Sequence, residues 1–377
     1  MHELSKMIKD DMKPALGVTE PGAIAFAVAK ARSFTKGDIK KVNVAMNSGM
    51  YKNAFTCGIP NSNEVGNIFA AALGVVAGNA DKGLESLADV TPEDNVKAQE
   101  MIDQGKITVE LSGITSRIFI EATVETEEDK AIVTIRDSHT NITKIIVNDK
   151  VELETEDEKK TEEDGGEEES HSIHKYTLQQ LYDYVTTVDI EEIRFINEAY
   201  KVNLELFHEG LENPRTTFAR QLLAINNGKE VSDDEQKTAS LMCNAAIEAR
   251  VIGLDKPAMS ITGSGAHGII ATMPLYAAYK VNGYTEEQLL RATALSYLVC
   301  MYIKEYSGRL SAFCGCAIAA GSGMACALVY LRGGTVEMMA HTLNNMASSI
   351  TGMICDGGNQ GCTMKGVAAV DAAYKSV

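Results

Sequence analysis

Apolar side chains recur along the chain with two periods, and the change from one to the other divides it. Ala23, Ala25, Phe26, Val28 and Ala29 follow a helical spacing behind Thr19, which can cap a helix from Glu20 to about Ser33 with Pro21 in its first turn. A strand near Lys41 to Met46 is expected next, then a polar loop from Asn47 to Asn63, then a second buried helix from Asn63 to Gly78. From about Thr91 the pattern changes to one helix, Pro92 to Gln104, and strands at Ile107 to Leu111, Arg117 to Thr126, Ala131 to Arg136 and Ile142 to Val147. Apolar and charged residues alternate over Phe119 to Glu125, as a sheet with one wet face requires. Beyond Tyr176 the spacing is helical again, with starts such as Asp189, Ser232 and Thr285 and stops such as Gly210, Gly228, Gly253 and Gly283. The pattern predicts a mainly α protein. Both ends of the chain, residues 1–90 and 175–377, form a helical core, a small α+β subdomain at 91–149 is inserted between them, and 150–174 is an acidic, flexible linker.

Composition refines this picture. The 377 residues are rich in Ala, Gly and Met and contain no Trp, as closely packed helices with small contact residues would. The formal charge is −17, and a phosphate backbone is bound through clustered Lys and Arg, so a nucleic-acid groove is not expected. Residues 150–170 hold eleven acidic side chains against three lysines, which leaves the rest only mildly acidic. That run cannot bury enough apolar surface to order itself. Met1 to Lys13 offers no continuous hydrophobic region, so a cytoplasmic location is expected. Ser311 to Leu331 is uncharged and long enough to span a bilayer, but its glycines, serines and cysteines mark a buried central helix instead. Eight cysteines in such a chain are reduced thiols or metal ligands rather than disulfides.

The sharpest chemical feature is a pair of cysteine groups, Cys314-Gly315-Cys316 and Cys355 to Cys362, separated by a helical pattern from Gly334 to Ile350. If that helix folds back, the thiols meet. Thiolates bind soft metals, and a [4Fe-4S] cluster needs three or four of them. Free cysteine is also an ordinary small core residue, and a redox pair is a third reading. The pattern is not a zinc ribbon, which would show paired C-x-x-C knuckles.

Several dispersed motifs carry a resemblance. Lys304, Ser307 to Cys316 and Gly352 to Gly357 look like the C-terminal signature of the iron-sulfur L-cysteine desulfidases, relatives of the α chain of bacterial iron-sulfur L-serine dehydratases. Gly17-Val18-Thr19-Glu20-Pro21, Lys52-Asn53 with Gly58-Ile59-Pro60, Ser138-His139-Thr140-Asn141-Ile142 and Gly263 to Gly268 fall in the family's order, so the resemblance covers nearly the whole chain. It implies a helical catalytic domain and a [4Fe-4S] cluster with three cysteine ligands and one iron open to substrate, acting as a Lewis acid on the leaving group. It implies β-elimination from L-cysteine or L-serine to pyruvate and ammonia, with sulfide released from cysteine, in a homodimer without pyridoxal phosphate. Cys355 and Cys362 match two family ligands. For the third, counting back from Met324 selects Cys314, while Cys316 lies close enough to substitute. Where desulfidases carry a cysteine, this chain has Val18, which neither binds iron nor moves a proton. A related lyase with another β-substituted substrate and a non-catalytic metal- or ligand-binding relative are the alternatives.

Other candidates follow from residue type and setting. His139, in a loop between strands, and His267, in the turn Thr262 to Gly268, suit base work, with capping or surface roles as the plain reading. Ser264 and the amides of that turn could hold a carboxylate. Lys52 with Asn53 could do the same, and Lys304 with Arg309 could do so or balance the charge of a cluster. Thr19, Glu20 and Ser48 complete the expected substrate-binding set, although Thr19 and Glu20 form a helix start first.

Overall fold

A computed structural model describes residues 1–115, 117–155, 172–308 and 310–377. The chain divides into two compact units. One comprises Met1–Ala15, Ser170–Cys355 and Gln360–Val377, and the other Leu16–Glu169 and Asp356–Asn359.

The first unit is helical apart from a two-stranded sheet of β1 (Lys13–Leu16) with β8 (Pro257–Ser260). Helix Glu235–Val251 is buried along almost its whole length and packs against helices Asn197–Glu212, Gly265–Asn282 and Cys362–Ser376. Small side chains make this possible. A Cβ on Gly210 would lie 2.3 Å from the Ala245 carbonyl oxygen, so this glycine permits a close helix crossing and does not end its helix, contrary to the sequence expectation. Thr285 starts helix Glu286–Ser307 with a reciprocal capping box, and Gly283 ends the preceding helix in the left-handed conformation, both as expected. Ser232 is not a helix start. Asp234 caps the helix, and the Ser232 hydroxyl is buried against Asn226 and Thr238. The expected central helix from Ser311 begins later: an irregular stretch and one π-helical turn, Cys316–Ala320, precede helix Gly321–Leu331. Among the described residues no helix is long and apolar enough to cross a membrane.

The second unit is built on a six-stranded sheet in the order β3-β2-β4-β5-β6-β7. The strands are β2 (Ile39–Asn47), β3 (Ile107–Gly113), β4 (Phe119–Thr126), β5 (Lys130–Arg136), β6 (Ile142–Val147) and β7 (Lys150–Glu154). β2 pairs parallel with β3 and antiparallel with β4, so a strand from the first fifty residues lies inside the sheet. The sheet therefore cannot be assembled from residues 91–149 alone, which corrects the boundary expected at residue 90. β4 alternates half-buried and buried positions as its sequence predicted. Helix Thr19–Arg32 packs on β4 and β5 and against helix Asn67–Ala77, where Gly74 meets the backbone of Ala25. Two further corrections are local. Val18, not Thr19, is the N-cap of helix Thr19–Arg32 and makes no side-chain capping bond. The polar loop expected from Asn47 contains a short helix, Ser48–Ala54. The acidic run does not start as a linker, because β7 pairs with β6 as an exposed, charged edge strand, a composition that discourages further pairing. The rest of the expected linker falls largely at 156–171, outside the described residues.

Candidate functional site

In the helical unit the two cysteine segments meet through the backbone. Phe313 and Ile354 form an antiparallel bridge, flanked by hydrogen bonds from the Cys314 amide to the Met353 carbonyl (2.8 Å) and from the Cys355 amide to the Ala312 carbonyl (2.9 Å). Alternate residues of an extended pair share a face, so Cys314 and Cys355 stand diagonally on the side opposite Ile354, which points to solvent. Cys316 opens the π-helical turn, and Cys362 is the first residue of helix Cys362–Ser376. The Cys316 thiol is hydrogen-bonded to Cys314 and lies in the field of Cys362 and Cys355, so all four thiols share one neighbourhood.

Their protonation is divided. The hydrogen bond from Cys316, the amides of Ala317 and Cys316 and the charge of Lys365 bring the Cys314 thiol down to about 6, against the pull of desolvation. The same hydrogen bond, burial and the charges of the three neighbouring sulfurs push Cys316 well up. One thiolate is thus stabilised at neutral pH, and thiolate is the metal-binding form. The other cysteines differ. Burial alone pushes Cys326 up to about 12 and raises Cys243 further, and Cys300 is held near 12 by the same cause, as expected of core thiols. Among the described residues no three His, Cys, Asp or Glu side chains close around a single ion. A cluster distributes its thiolates over separate irons, and its requirement is a group of soft donors in one place.

Two other expected residues stand beside the thiols. A Cβ on Gly315 would lie 3.1 Å from both His267 Nε2 and Lys304 Nζ, so the glycine between the two cysteines is in close approach to each. His267 is buried at the start of helix Gly265–Asn282, with Nδ1 2.5 Å from Thr262 Oγ1. Thr262 donates its hydroxyl proton to the Ile261 carbonyl at 2.7 Å, and its amide donates to Asp11 Oδ2 at 2.5 Å. The Thr262 hydroxyl thus anchors His267 at Nδ1, and Nε2 is the ring nitrogen turned toward Gly315. Lys304 is buried, 3.4 Å from Ser311 Oγ and over the ring of Phe313. Ser264 is the N-cap of the His267 helix and makes no side-chain capping bond. Arg309 lies outside the described residues.

The second unit gathers a separate set. Glu20, buried in the first turn of its helix, accepts a hydrogen bond from Asn53 Nδ2 at 2.8 Å, and His139 Nε2 is 3.9 Å from the same carboxylate oxygen. His139 is buried, and its Nε2 makes no hydrogen bond among the described residues. Thr19 is buried beside Glu20, whereas Ser48 is engaged with the backbone of Thr115. Lys52 and Asn53 also offer backbone to the segment Asp356–Asn359. A Cβ on Gly357 would lie 2.3 Å from the Lys52 carbonyl oxygen, and the Gly358 amide donates to the Asn53 carbonyl at 3.1 Å. Val18 fills the space next to Gly358 together with the Cys57 thiol.

Sequence reasoning passed over Asp11, Thr262, Ser311, Glu248 and Arg250. The last two carried a legible signal, since they are the only charges in the otherwise uncharged stretch Thr238 to Val251.

The fold and site define a mainly helical protein with four converging thiols and a buried histidine and lysine beside them. Residues 81–377 match the serine dehydratase alpha chain family, and the chain belongs to it. It is similar to UPF0597 proteins of Clostridium botulinum strain Langeland (41% identity over 372 residues, 98% of this chain and 86% of the relative). The same holds for UPF0597 proteins of Caldanaerobacter subterraneus subsp. tengcongensis (35% over 373 residues, 99% and 86%) and Bacteroides fragilis (34% over 376 residues, 99% and 86%).

Proposed function

We propose that the protein is an iron-sulfur lyase that eliminates water from L-serine, or hydrogen sulfide from L-cysteine, to give pyruvate and ammonia. The observation that carries this reading is the shared neighbourhood of Cys314, Cys316, Cys355 and Cys362. The donor set fits a [4Fe-4S] cluster: the sulfurs are soft, one is already a stabilised thiolate, and their mutual repulsion is relieved by a bound cation. Cys314, Cys355 and Cys362 would hold it, with the protonated Cys316 hydrogen-bonding to Cys314. When bound, such a cluster supplies Lewis acidity for the departing hydroxide or thiolate.

The protein's own groups do the rest. His267 is held at Nδ1 by Thr262, its Nε2 stands against the thiol loop at Gly315, and that nitrogen would be the proton acceptor. Lys304 places a positive charge beside the same loop and offsets the thiolates. Glu20 and His139 form a separate buried pair in the other unit, and activity of H139N beside that of H267N tests whether either residue takes part.

The experiment is anaerobic purification with iron and sulfide analysis, followed by pyruvate release from L-serine and L-cysteine. A colourless, iron-free preparation that releases no pyruvate from either refutes the proposal. Val18 favours a second reading. Its methyl groups pack beside Gly358 and the Cys57 thiol, at the position where desulfidases carry a cysteine, and in this reading the substrate is a different β-substituted amino acid. A brown preparation inactive on serine and cysteine but active on another such amino acid would establish it. A homodimer located in the cytoplasm remains part of the proposal, and sedimentation at enzyme concentrations tests the assembly.

A further inference from the structure

Among the described residues Arg250 is a buried arginine with no ion-pair partner. It sits near the end of helix Glu235–Val251, is only 4% exposed, and its Nε is buried with no hydrogen-bond partner. Burying a guanidinium is costly unless an acceptor meets it. The obvious acceptors are committed elsewhere. Glu248 receives the amides of Thr217, Phe218 and Ala219 and the side chain of Gln360. At the end of the arginine's own helix, the carbonyls of Glu248, Ala249 and Arg250 already accept from Ile252, Leu254 and Gly253.

The Nε and Cδ atoms of Arg250 lie against the start of another helix. A Cβ on Gly265 would lie 2.6 Å from Arg250 Nε and 3.0 Å from its Cδ, so only glycine lets the arginine lie across the first residue of helix Gly265–Asn282. That helix has 18 residues and no side-chain cap from Ser264. Its first amides lack intrahelical acceptors, and its N-terminal end carries partial positive charge. A cation and the positive end of a helix repel one another unless an anion lies between them.

We propose that Arg250 and the amides opening this helix form a subsite for a small oxyanion, and that its occupant is the α-carboxylate of the amino-acid substrate. The anion chemistry stands on the geometry alone, whereas the identity of the occupant rests on the lyase reading. The guanidinium fork suits a carboxylate, and helix amides complete the cradle. His267 lies two residues into the same helix, against Gly315, so a carboxylate held here keeps the rest of a small substrate within reach of the proton-carrying nitrogen.

The test is calorimetric titration of the anaerobically purified holoprotein with L-serine and with L-serinamide, which lacks the carboxylate. Wild type, R250K, R250Q and G265A are compared, with thermal unfolding as the check on folding. Wild type prefers serine. In R250Q and G265A the serine-to-serinamide affinity ratio falls about ten- to hundredfold, the worth of a charge-assisted hydrogen bond. R250K keeps part of the preference, because its charge remains but the fork is lost. A ratio unchanged in folded R250Q overturns the proposal. Should the variants not fold, wild type decides: sulfate and phosphate must compete with L-serine and raise the melting temperature, and failure to do either overturns it. Arg250-dependent binding of sulfate or phosphate without binding of L-serine or L-cysteine supports the oxyanion subsite and overturns its assignment to a substrate carboxylate. That outcome is distinct from failure of the lyase reading, which is judged by pyruvate release.

Discussion

Replacing Gly315 with alanine puts one methyl group where the thiol loop comes closest to its proton-carrying neighbours. The residue has φ −56° and ψ −33°, so the backbone accepts alanine without strain, and alanine is favoured over glycine in helical geometry by about 0.5–1 kcal/mol. The new carbon would stand 3.1 Å from His267 Nε2, 3.1 Å from Lys304 Nζ and 3.2 Å from Lys304 Cδ. All three are inside the usual contact separation of roughly 3.5–4.0 Å. The end of Lys304 can swing aside. The imidazole cannot easily do so, because Thr262 holds Nδ1 and Asp11 holds the Thr262 amide. Overpacking of this kind costs about 1–3 kcal/mol. Set against the backbone gain, the net loss is about 0–2.5 kcal/mol, which moves the melting temperature of a chain this size by only a few degrees. The rate should suffer more. Misplacement by about 1 Å can cost about a hundredfold, so a shift of a few tenths should lower kcat about three- to tenfold. Pyruvate release under anaerobic conditions, iron content and calorimetric unfolding are measured on the same preparations. Unchanged kcat at full iron content would refute the placement of His267 and Lys304 against the loop. Gly268→Ala is the contrasting control: its carbon would fall 1.8 Å from the Met259 carbonyl oxygen, and the variant should not fold.

Serine in place of Cys355 or Cys362 should each abolish most bound iron, whereas Cys243→Ser, at a buried thiol remote in character from the group, should retain it; iron analysis after anaerobic purification separates the two outcomes. In metal-free protein one thiolate should titrate at about pH 6 by absorbance near 240 nm and vanish in C314S. Because the folded value lies below the ordinary 9.0, the stability contributed by this thiolate is complete above that pH and is lost as pH falls through about 6. The denaturant midpoint of metal-free wild type should therefore drop between pH 7 and pH 5 by more than that of C314S, and equal drops would contradict the assignment. Glu248→Gln should destabilise the protein by about 1–3 kcal/mol in urea unfolding, since a buried carboxylate accepts three consecutive amides there; an unchanged midpoint would show that those amides are satisfied otherwise.

Local order was readable from local pattern. The capping box at Thr285, the left-handed Gly283 and the alternation in β4 are set by neighbours a few residues apart, and the observed elements match them. The meeting of the cysteine groups was readable only as a condition, that the helix before Cys355 fold back, and the Phe313–Ile354 bridge records that return. Local pattern misled where a residue's role depends on a partner far along the chain. Gly210 resembles a helix stop, and only the Ala245 carbonyl beside it shows that it is a crossing point. Thr19 resembles a cap, yet it is buried one position inside the helix.

By itself, then, the sequence determined the periods, helix ends such as Thr285 and Gly283, the thiol count and the family motifs, all of which depend on interactions within a few turns or on residue identity alone. Tertiary structure decided that β2 lies inside the sheet, that Cys314 and not Cys316 is the stabilised thiolate, and that Arg250 faces the start of the His267 helix. These depend on which distant segments share a boundary in space. Hydrogen-bond pairing and charge environment are properties of that boundary, and no local period encodes them.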